Sequence, residues 1–317
     1  VLERLTKLRD FDSTQNLSPK ELVEQGLCDA FKIFVKGDPH KLSKLVEGRL
    51  RLIFSESLID NTIARLLCSL QNNTEITLWD SISSKPGMGL DDSGLRRLTQ
   101  NVLDLALDGE IANSDVKGWD WSVQEWELLN DLERRIELNN SRGTVWERVA
   151  RAHYYCMARK VMVLSDGTMY QQTIPGVIPS GWYNTSSTNS FMRALDHSMV
   201  AHMAGQAERA NCVVMGDDCV ERYFDHAQEY YKKLGKTVDM YEKVSETEFE
   251  FCSTFFRHGL GYPVNVDRQL INILCSNPVD YAQCCLLFNQ YTYEMRHHPD
   301  IDVFTNILYE SGWWKEM

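Results

Sequence analysis

The stretch "VVMGDDCVER", Val213 to Arg222, constrains the fold more than any other feature of the chain. The run "NCVVM" reads as a strand, "GDD" as a turn and "CVERY" as the partner strand, so a tight hairpin carries Asp217 and Asp218 at its tip. Two adjacent carboxylates repel when both are ionised, unless a cation lies between them or one of them keeps its proton. Hard divalent ions such as Mg²⁺ bind through one or two carboxylates together with substrate phosphates, and a hairpin turn holds such groups at a sheet edge with little freedom. Gly-Asp and Asp-Asp are also ordinary turn dipeptides, so the motif acquires meaning only with partners elsewhere.

The first third of the chain reads as mixed helix and loop, interrupted by the glycine-containing loop "SSKPGMGLDD". "IANSDVKGWDW" reads as a strand ending near Asp115. Ser122 and Glu125 form a capping box ahead of the helical spacing of Trp126, Leu129, Leu132 and Ile136. Thr144 and Glu147 open a second helix, to about Lys160, and "VMVLSDGTMYQQT" reads as a hairpin turned at Asp166-Gly167. After the loop "IPGVIPSG" comes a helix with Met192, Leu195, Met199 and Met203 on its apolar face. Beyond the acidic hairpin a helix ends at Gly235, followed by the strands "KTVDM" and "FEFCSTFF". From His258 onward helices dominate, one of them capped by Asn277 with Pro278 in its first turn. This order predicts an α+β protein whose antiparallel sheet is backed by helices on one face, with Asp115 beside the Asp217-Asp218 turn.

A length of 317 residues with 43% hydrophobic and 25% charged residues suffices for a sizeable core. No apolar run approaches the roughly 18 to 20 residues of a membrane span, and no leader opens the chain, so a soluble, non-secreted protein is expected. The first residue is Val, as expected of a piece cut from a longer polypeptide. Nine cysteines without a CxxC pair are expected to be free thiols in a reducing compartment. A net charge of -12 argues against a nucleic-acid partner as a bulk property. The distribution argues otherwise, because Lys32, Lys36, Lys41, Lys44, Arg49 and Arg51 face only Asp38 and Glu47 within one segment.

Asp115, Asp217 and Asp218 are enough carboxylates to hold two metal ions roughly 3.5 to 4 Å apart for in-line phosphoryl chemistry. Asp120 lies five residues beyond Asp115, out of reach of the same ion but placed to meet a sugar. Ser180 precedes a helix on which Thr185 and Asn189 share a face. With these residues in order, the phrases "DVKGWDWSVQEWE", "IPSGWYNTSSTNS" and "VMGDDCVE" resemble palm motifs A, B and C of positive-strand viral RNA-dependent RNA polymerases, most of all the sobemovirus and polerovirus group.

The resemblance implies a right-hand polymerase. Residues 1–70 would form fingers, 71–160 palm with motif A, 161–177 a fingers insertion, 178–257 palm with motifs B to E, and 258–317 a small thumb. It implies that Asp115 and Asp217 bind catalytic Mg²⁺, with Mn²⁺ as a substitute and Asp218 assisting. Asp120 and Asn189 would read the ribose 2′-hydroxyl, helped by Ser180 and Thr185. "KGDPHKLSKLVEGRLRLIFSESLIDN" resembles motif F, whose Lys36, Lys44, Arg49 and Arg51 would hold triphosphate, with His40 standing where related enzymes can carry a basic residue. "KPGMG" resembles the template-contacting motif G, which makes Lys85 and Gly87, with Gly181, the implied template contacts. "GKTVDMYEK" resembles motif D, with Lys243 as general acid and Lys236 and the Lys232-Lys233 pair as competitors. "FEFCSTFF" resembles the motif E hairpin. The resemblance runs from about Phe31 to Phe256. The chain before Lys36 is short for that family, so incomplete closure between fingers and thumb is expected.

The implied activity is template-directed RNA synthesis in viral genome replication. Its partners would be template and nascent RNA, ribonucleoside triphosphates, other replication proteins and a protein primer, in a replication complex in the host cytoplasm with no direct membrane span. A reverse transcriptase would share the carboxylates but needs a bulky gate against the ribose hydroxyl. A metal-dependent nuclease needs no basic channel. An RNA-binding module that lost activity would not need Asp115, Asp217 and Asp218 intact. His197 and His202, five apart, lack zinc spacing and read as structural, and Cys212 and Cys219 flank the acidic turn without metal spacing. Trp119 and Trp121 read as core anchors. Trp313 and Trp314 fit thumb packing or a partner.

Overall fold

A computed structural model describes residues 1–40 and 42–312; Lys41 and the Trp313-Trp314 pair lie outside the described residues. The N-terminal part runs α1 (Leu2–Asp10), α2 (Pro19–Glu24), β1 (Phe31–Val35), α3 (Leu42–Val46), β2 (Leu52–Ser55), α4 (Leu58–Thr77) and α5 (Asp92–Ala106). Then follow β3 (Ile111–Val116), α6 (Trp119–Ser122), α7 (Glu125–Leu138), α8 (Val145–Ala158), β4 (Val161–Val163), β5 (Met169–Gln171) and α9 (Thr185–Met203). The acidic hairpin is β6 (Cys212–Met215) and β7 (Asp218–Arg222), followed by α10 (Ala227–Lys233) and β8 (Val238–Val244). The chain continues through β9 (Glu248–Phe251), β10 (Thr254–Arg257), β11 (Leu260–Pro263), α11 (Val266–Leu274), α12 (Tyr281–Glu294) and α13 (Ile301–Ser311).

The central sheet has the order β6-β7-β3-β8, with every neighbouring pair antiparallel. Strand alternation sends Ile111, Val213 and Val220 to one face, where they pack with Leu98 and Val102 of α5 and with Phe249, Phe251 and Phe256. The opposite face contributes Val116 and Val238 to a larger core that includes Met192 and Val200 of α9 and Tyr231 of α10. Both faces are therefore covered, which corrects the expectation of helices on one face only: α5 and the β11-β10-β9 sheet occupy the second face.

The mixed first third contains two strands that the sequence reading missed. β1 pairs antiparallel with β2 and parallel with β4, giving a sheet β2-β1-β4-β5. The hairpin 161–171 thus joins the basic segment, although more than a hundred residues separate them. Gly181 is why the next loop docks there: its N–H donates to the Phe54 carbonyl at 2.9 Å, and a Cβ would stand 2.4 Å from that oxygen. Helix starts also shift. The capping box of α7 is Gln124 with Glu127, while Ser122 donates its hydroxyl to the Trp119 carbonyl. α12 is capped by Asp280 rather than by Asn277.

Helix α9 is the largest departure from simple amphipathicity. Its buried side includes Met192 and Val200 but also Arg193, Asp196 and His197, each fully buried. Next to it Asp131 of α7, also fully buried, accepts from Arg135 Nε at 3.0 Å, Arg134 Nη2 at 2.6 Å, Tyr154 Oη at 2.7 Å and Thr188 Oγ1 at 2.7 Å. The ends of the chain meet as well: Arg268 of α11 bonds to Asp38 at 2.8 Å, and Arg296 and His297 reach Asp92 at the start of α5.

Candidate active site

The pairing of β3 with β7 puts Ser114 opposite Cys219, so the next step of the same register brings Asp115 level with Asp218. Gly216 supplies the positive φ of 68° that the turn between β6 and β7 needs. Asp115, Asp217 and Asp218 all present exposed carboxylates at this end of the sheet. Desolvation, then repulsion from Asp217, Asp115 and Glu250, pushes Asp218 up to about 7. Desolvation and the charge of Asp217 likewise raise Asp120 to about 6, with Arg51 opposing. Asp115 is raised by desolvation, Asp217 and Asp239, while Arg193 and Lys44 pull it down. The charge of Asp217 thus acts on Asp115, Asp120 and Asp218. Among the described residues, however, no group of three His, Cys, Asp or Glu side chains is placed to hold a metal ion.

Glu250 was not found by sequence reading. It sits on β9 between the buried Phe249 and Phe251, its backbone carbonyl accepts from Asn113 Nδ2, and its charge reaches Asp115 and Asp218. The alternation "FEF" was the available signal.

Helix α9 is tied to the acidic turn. Ser190 Oγ accepts from Gly216 N–H at 2.9 Å, one residue after Asn189. Asn189 is 5% exposed and its Oδ1 has no partner. A buried acceptor without a donor is costly unless a ligand supplies one. Ser180 Oγ accepts from Phe54 N–H, and the Thr185 hydroxyl bonds to the Pro179 and Trp182 carbonyls. Both therefore also shape the loop entering α9.

Among the described residues, the basic segment is coupled to these acids only through charge. Lys44 and Arg51 act electrostatically on Asp115 and Asp120, respectively. Lys36 pairs with Asp38 at 2.7 Å, Arg49 pairs with Glu47, and His40 Nε2 accepts from Arg51 N–H, fastening the strand ends of β1 and β2.

Four expected positions fall elsewhere. Lys85 is 3% exposed, and its ammonium donates to the Trp79 and Ile82 carbonyls and to Asn101, so it is not presented to a template. Its loop instead extends the central sheet, with Lys85 N–H donating to the Val214 carbonyl at 2.8 Å. Gly87 is required for packing, since a Cβ would lie 2.1 Å from the Ile76 carbonyl oxygen. Lys243 pairs with Ala112 across β8 and β3, three residues down the strand from Asp115, and bonds to Glu110 at 2.7 Å. It points at the far end of the sheet, and its competitor Lys236 is buried against Glu127 and Trp119. Gly181 is explained by its contact with Phe54.

Of the leftovers, Trp119 is a core residue, as expected, but Trp121 is 57% exposed and meets Phe54 edge-on at 5.2 Å. His197 is buried and ion-paired with Glu221, consistent with a structural role. The cysteines are free among the described residues.

Residues 1–265 match the family described as viral RNA-directed RNA-polymerase. The chain belongs to the viral RNA-directed RNA polymerase family. The match extends beyond Phe31–Phe256 at both ends, so it also takes in α1, α2 and β11. The RNA-directed RNA polymerase of Mushroom bacilliform virus is 41% identical over 296 residues, covering 91% of this chain and 70% of that protein. The replicase polyprotein P2AB of Southern cowpea mosaic virus is 39% identical over 283 residues, covering 86% of this chain and 29% of the polyprotein. Protein P1-P2 of Potato leafroll virus is 39% identical over 320 residues, covering 95% of this chain and 29% of that protein. The chain spans most of the first relative but only 29% of each of the other two. The resemblance to sobemovirus and polerovirus polymerases, and with it RNA-directed RNA synthesis as the enzyme activity of the family, stands. No helix among the described residues is long and apolar enough to cross a membrane.

Proposed function

We propose that this polymerase adds ribonucleoside monophosphates to an RNA 3′-hydroxyl, directed by a template, at the end of the central sheet where Asp115 and the Asp217-Asp218 turn meet. The observation that carries this reading is the β3–β7 register, which sets Asp115 at the acidic turn, beside a helix bonded to that turn through Ser190 and whose Asn189 offers an unpartnered buried oxygen. Asp115 and Asp217, assisted by Asp218, are the residues to hold Mg²⁺, or Mn²⁺ in its place. The bound ions would supply charge stabilisation at the attacking and leaving oxygens. The chain's own part is positioning: Lys44 and Arg51, with Lys36 and Arg49, attract triphosphate, and Asp120, Asn189, Ser180 and Thr185 orient the ribose. In hand-like terms, residues 1–70 and 161–177 are assigned to fingers, 71–160 and 178–257 to palm, and 258–317 to thumb. The shared β2-β1-β4-β5 sheet favours grouping the first two. Partners in this reading are template and nascent RNA and ribonucleoside triphosphates, with other replication proteins and a protein primer, in a replication complex of the host cytoplasm.

Incorporation on a primed RNA template, with ribonucleotides and then deoxyribonucleotides, tests the assignment. Asn189→Ala and Asp120→Ala are expected to narrow the preference for ribonucleotides by about 10- to 100-fold, because each removes a polar partner of the 2′-hydroxyl. An unchanged ratio in both would remove these residues from sugar recognition.

The raised carboxyls also give a pH signature. Between the ordinary carboxyl value and about 7 the folded, metal-free chain holds protons on Asp120 and Asp218 that the unfolded chain has released. Their contribution to stability is therefore best at low pH and declines as pH rises through about 6 to 7. A divalent ion offsets that loss only once the acids are ionised. Millimolar MgCl₂ should raise Tm clearly at about pH 8 and little at about pH 5. Equal shifts at both pH values would sink the carboxylate site.

A further inference from the structure

Arg193 is fully buried one helical turn after Asn189, and its guanidinium reaches three other elements. Nη1 donates to the Tyr231 hydroxyl of α10 at 2.7 Å, Nη2 donates to Ser114 Oγ of β3, and Nη2 lies 3.1 Å from Glu221 Oε2 of β7. The Tyr231 hydroxyl in turn donates to Glu221 at 2.6 Å, and the guanidinium lies over the Tyr231 ring, 4.9 Å from its centroid. Ser114 is the neighbour of Asp115, and Glu221 is three residues along β7 from Asp218.

Burying this ion pair is expensive. Well-packed apolar side chains of similar volume would be about as stable or more so, which makes core stability a weak reason for having it. A planar fork with several fixed donors does something an apolar side chain cannot: it sets the relative positions of the groups it bonds. The bonded groups here belong to the strands that carry the acids and to α10, while Arg193 itself sits on the helix that carries the proposed sugar reader.

We propose that Arg193 is a positioning residue for the reaction: its bonds to Ser114, Glu221 and Tyr231 lock strands β3 and β7 onto helix α9, and so hold Asp115, Asp218 and Asn189 at one working spacing. This rests on the roles given to those residues under Proposed function. The lock works from the face of the sheet opposite the carboxylates and touches no substrate.

Ser114→Ala tests it without stranding a charge, since Arg193 keeps Glu221 and Tyr231. Arg193→Lys keeps the cation but cannot reach all three partners. Both variants, the double variant and Asp217→Asn are compared with the intact chain by single-nucleotide incorporation, by Mn²⁺ binding followed by electron paramagnetic resonance without turnover, and by thermal unfolding. Ser114→Ala is expected to lower kcat about 10- to 100-fold, with KM for nucleotide within about twofold, weaker Mn²⁺ binding and nearly unchanged Tm. The double variant should lose no more than Arg193→Lys alone, as expected for one shared interaction. Wild-type kcat and Mn²⁺ affinity in both single variants, or losses that merely follow the unfolded fraction, would overturn the proposal. If Asp217→Asn binds Mn²⁺ as the intact chain does, the metal assignment itself fails and the lock loses its purpose, an outcome distinct from the other two.

Discussion

Asp217→Asn is expected to lower single-nucleotide incorporation on a primed RNA template by about a thousandfold while leaving the chain at least as stable as before. The substitution keeps the size of the side chain and removes its charge. Asp217 is the neighbour whose charge raises Asp115, Asp120 and Asp218, so neutralising it relieves repulsion in the metal-free fold. Loss of activity and loss of stability should therefore part company, which is unusual for a substitution at a structured turn. Incorporation assays and thermal melts in the absence of divalent ions read the two effects separately. A variant that retains incorporation within about tenfold would exclude Asp217 as a principal metal ligand.

The largest stability effect is expected at Asp131→Asn, about 3–5 kcal/mol, measured by denaturant unfolding. Asp131 is fully buried and receives bonds from two arginines and two hydroxyls, so neutralising it leaves the buried Arg135 guanidinium without its counter-charge. Desolvation alone would raise its proton affinity, but Arg135 and Arg134 overcome it and hold the carboxyl well below the ordinary range. Its contribution to stability is present above the unfolded value near 4 and is lost as pH falls toward the folded one. Against a total stability of about 5–15 kcal/mol this is a large fraction. A loss under about 1 kcal/mol would mean that the cluster is not the anchor of α7 and α9 that its geometry implies.

The acidic hairpin was legible because its signals are local. Short apolar runs flank a glycine that takes positive φ, and the strands formed at "CVVM" and "DCVER". The strand before Asp115 and the helix after Ser180 were legible for the same reason. β1 and β2 were not, because each lies in a charged segment without clean alternation and is stabilised by pairing with each other and with β4, far along the chain. Lys85 illustrates the opposite error. A lysine beside glycines looks like a ligand contact, yet its ammonium is satisfied by two carbonyls and Asn101 once the loop joins β6. Lys243 was misplaced by register: strand pairing puts it opposite Ala112, and no local pattern specifies that.

By itself, the sequence determined the kinds of groups and their order: three acids near two strand ends, polar residues opening a helix, and a basic run within an acidic whole. These follow from side-chain chemistry and from backbone preferences over a few residues. Only the tertiary structure decided which groups share a space. It set Asp115 level with Asp218, brought the charge of Glu250 to bear on them, buried Lys85 and placed Lys243 at the far end of the sheet, and buried Arg193 among β3, β7 and α10. The physical reason is that strand register and the burial of charge depend on contacts between distant segments, and a buried arginine is tolerable only where the fold delivers its partners.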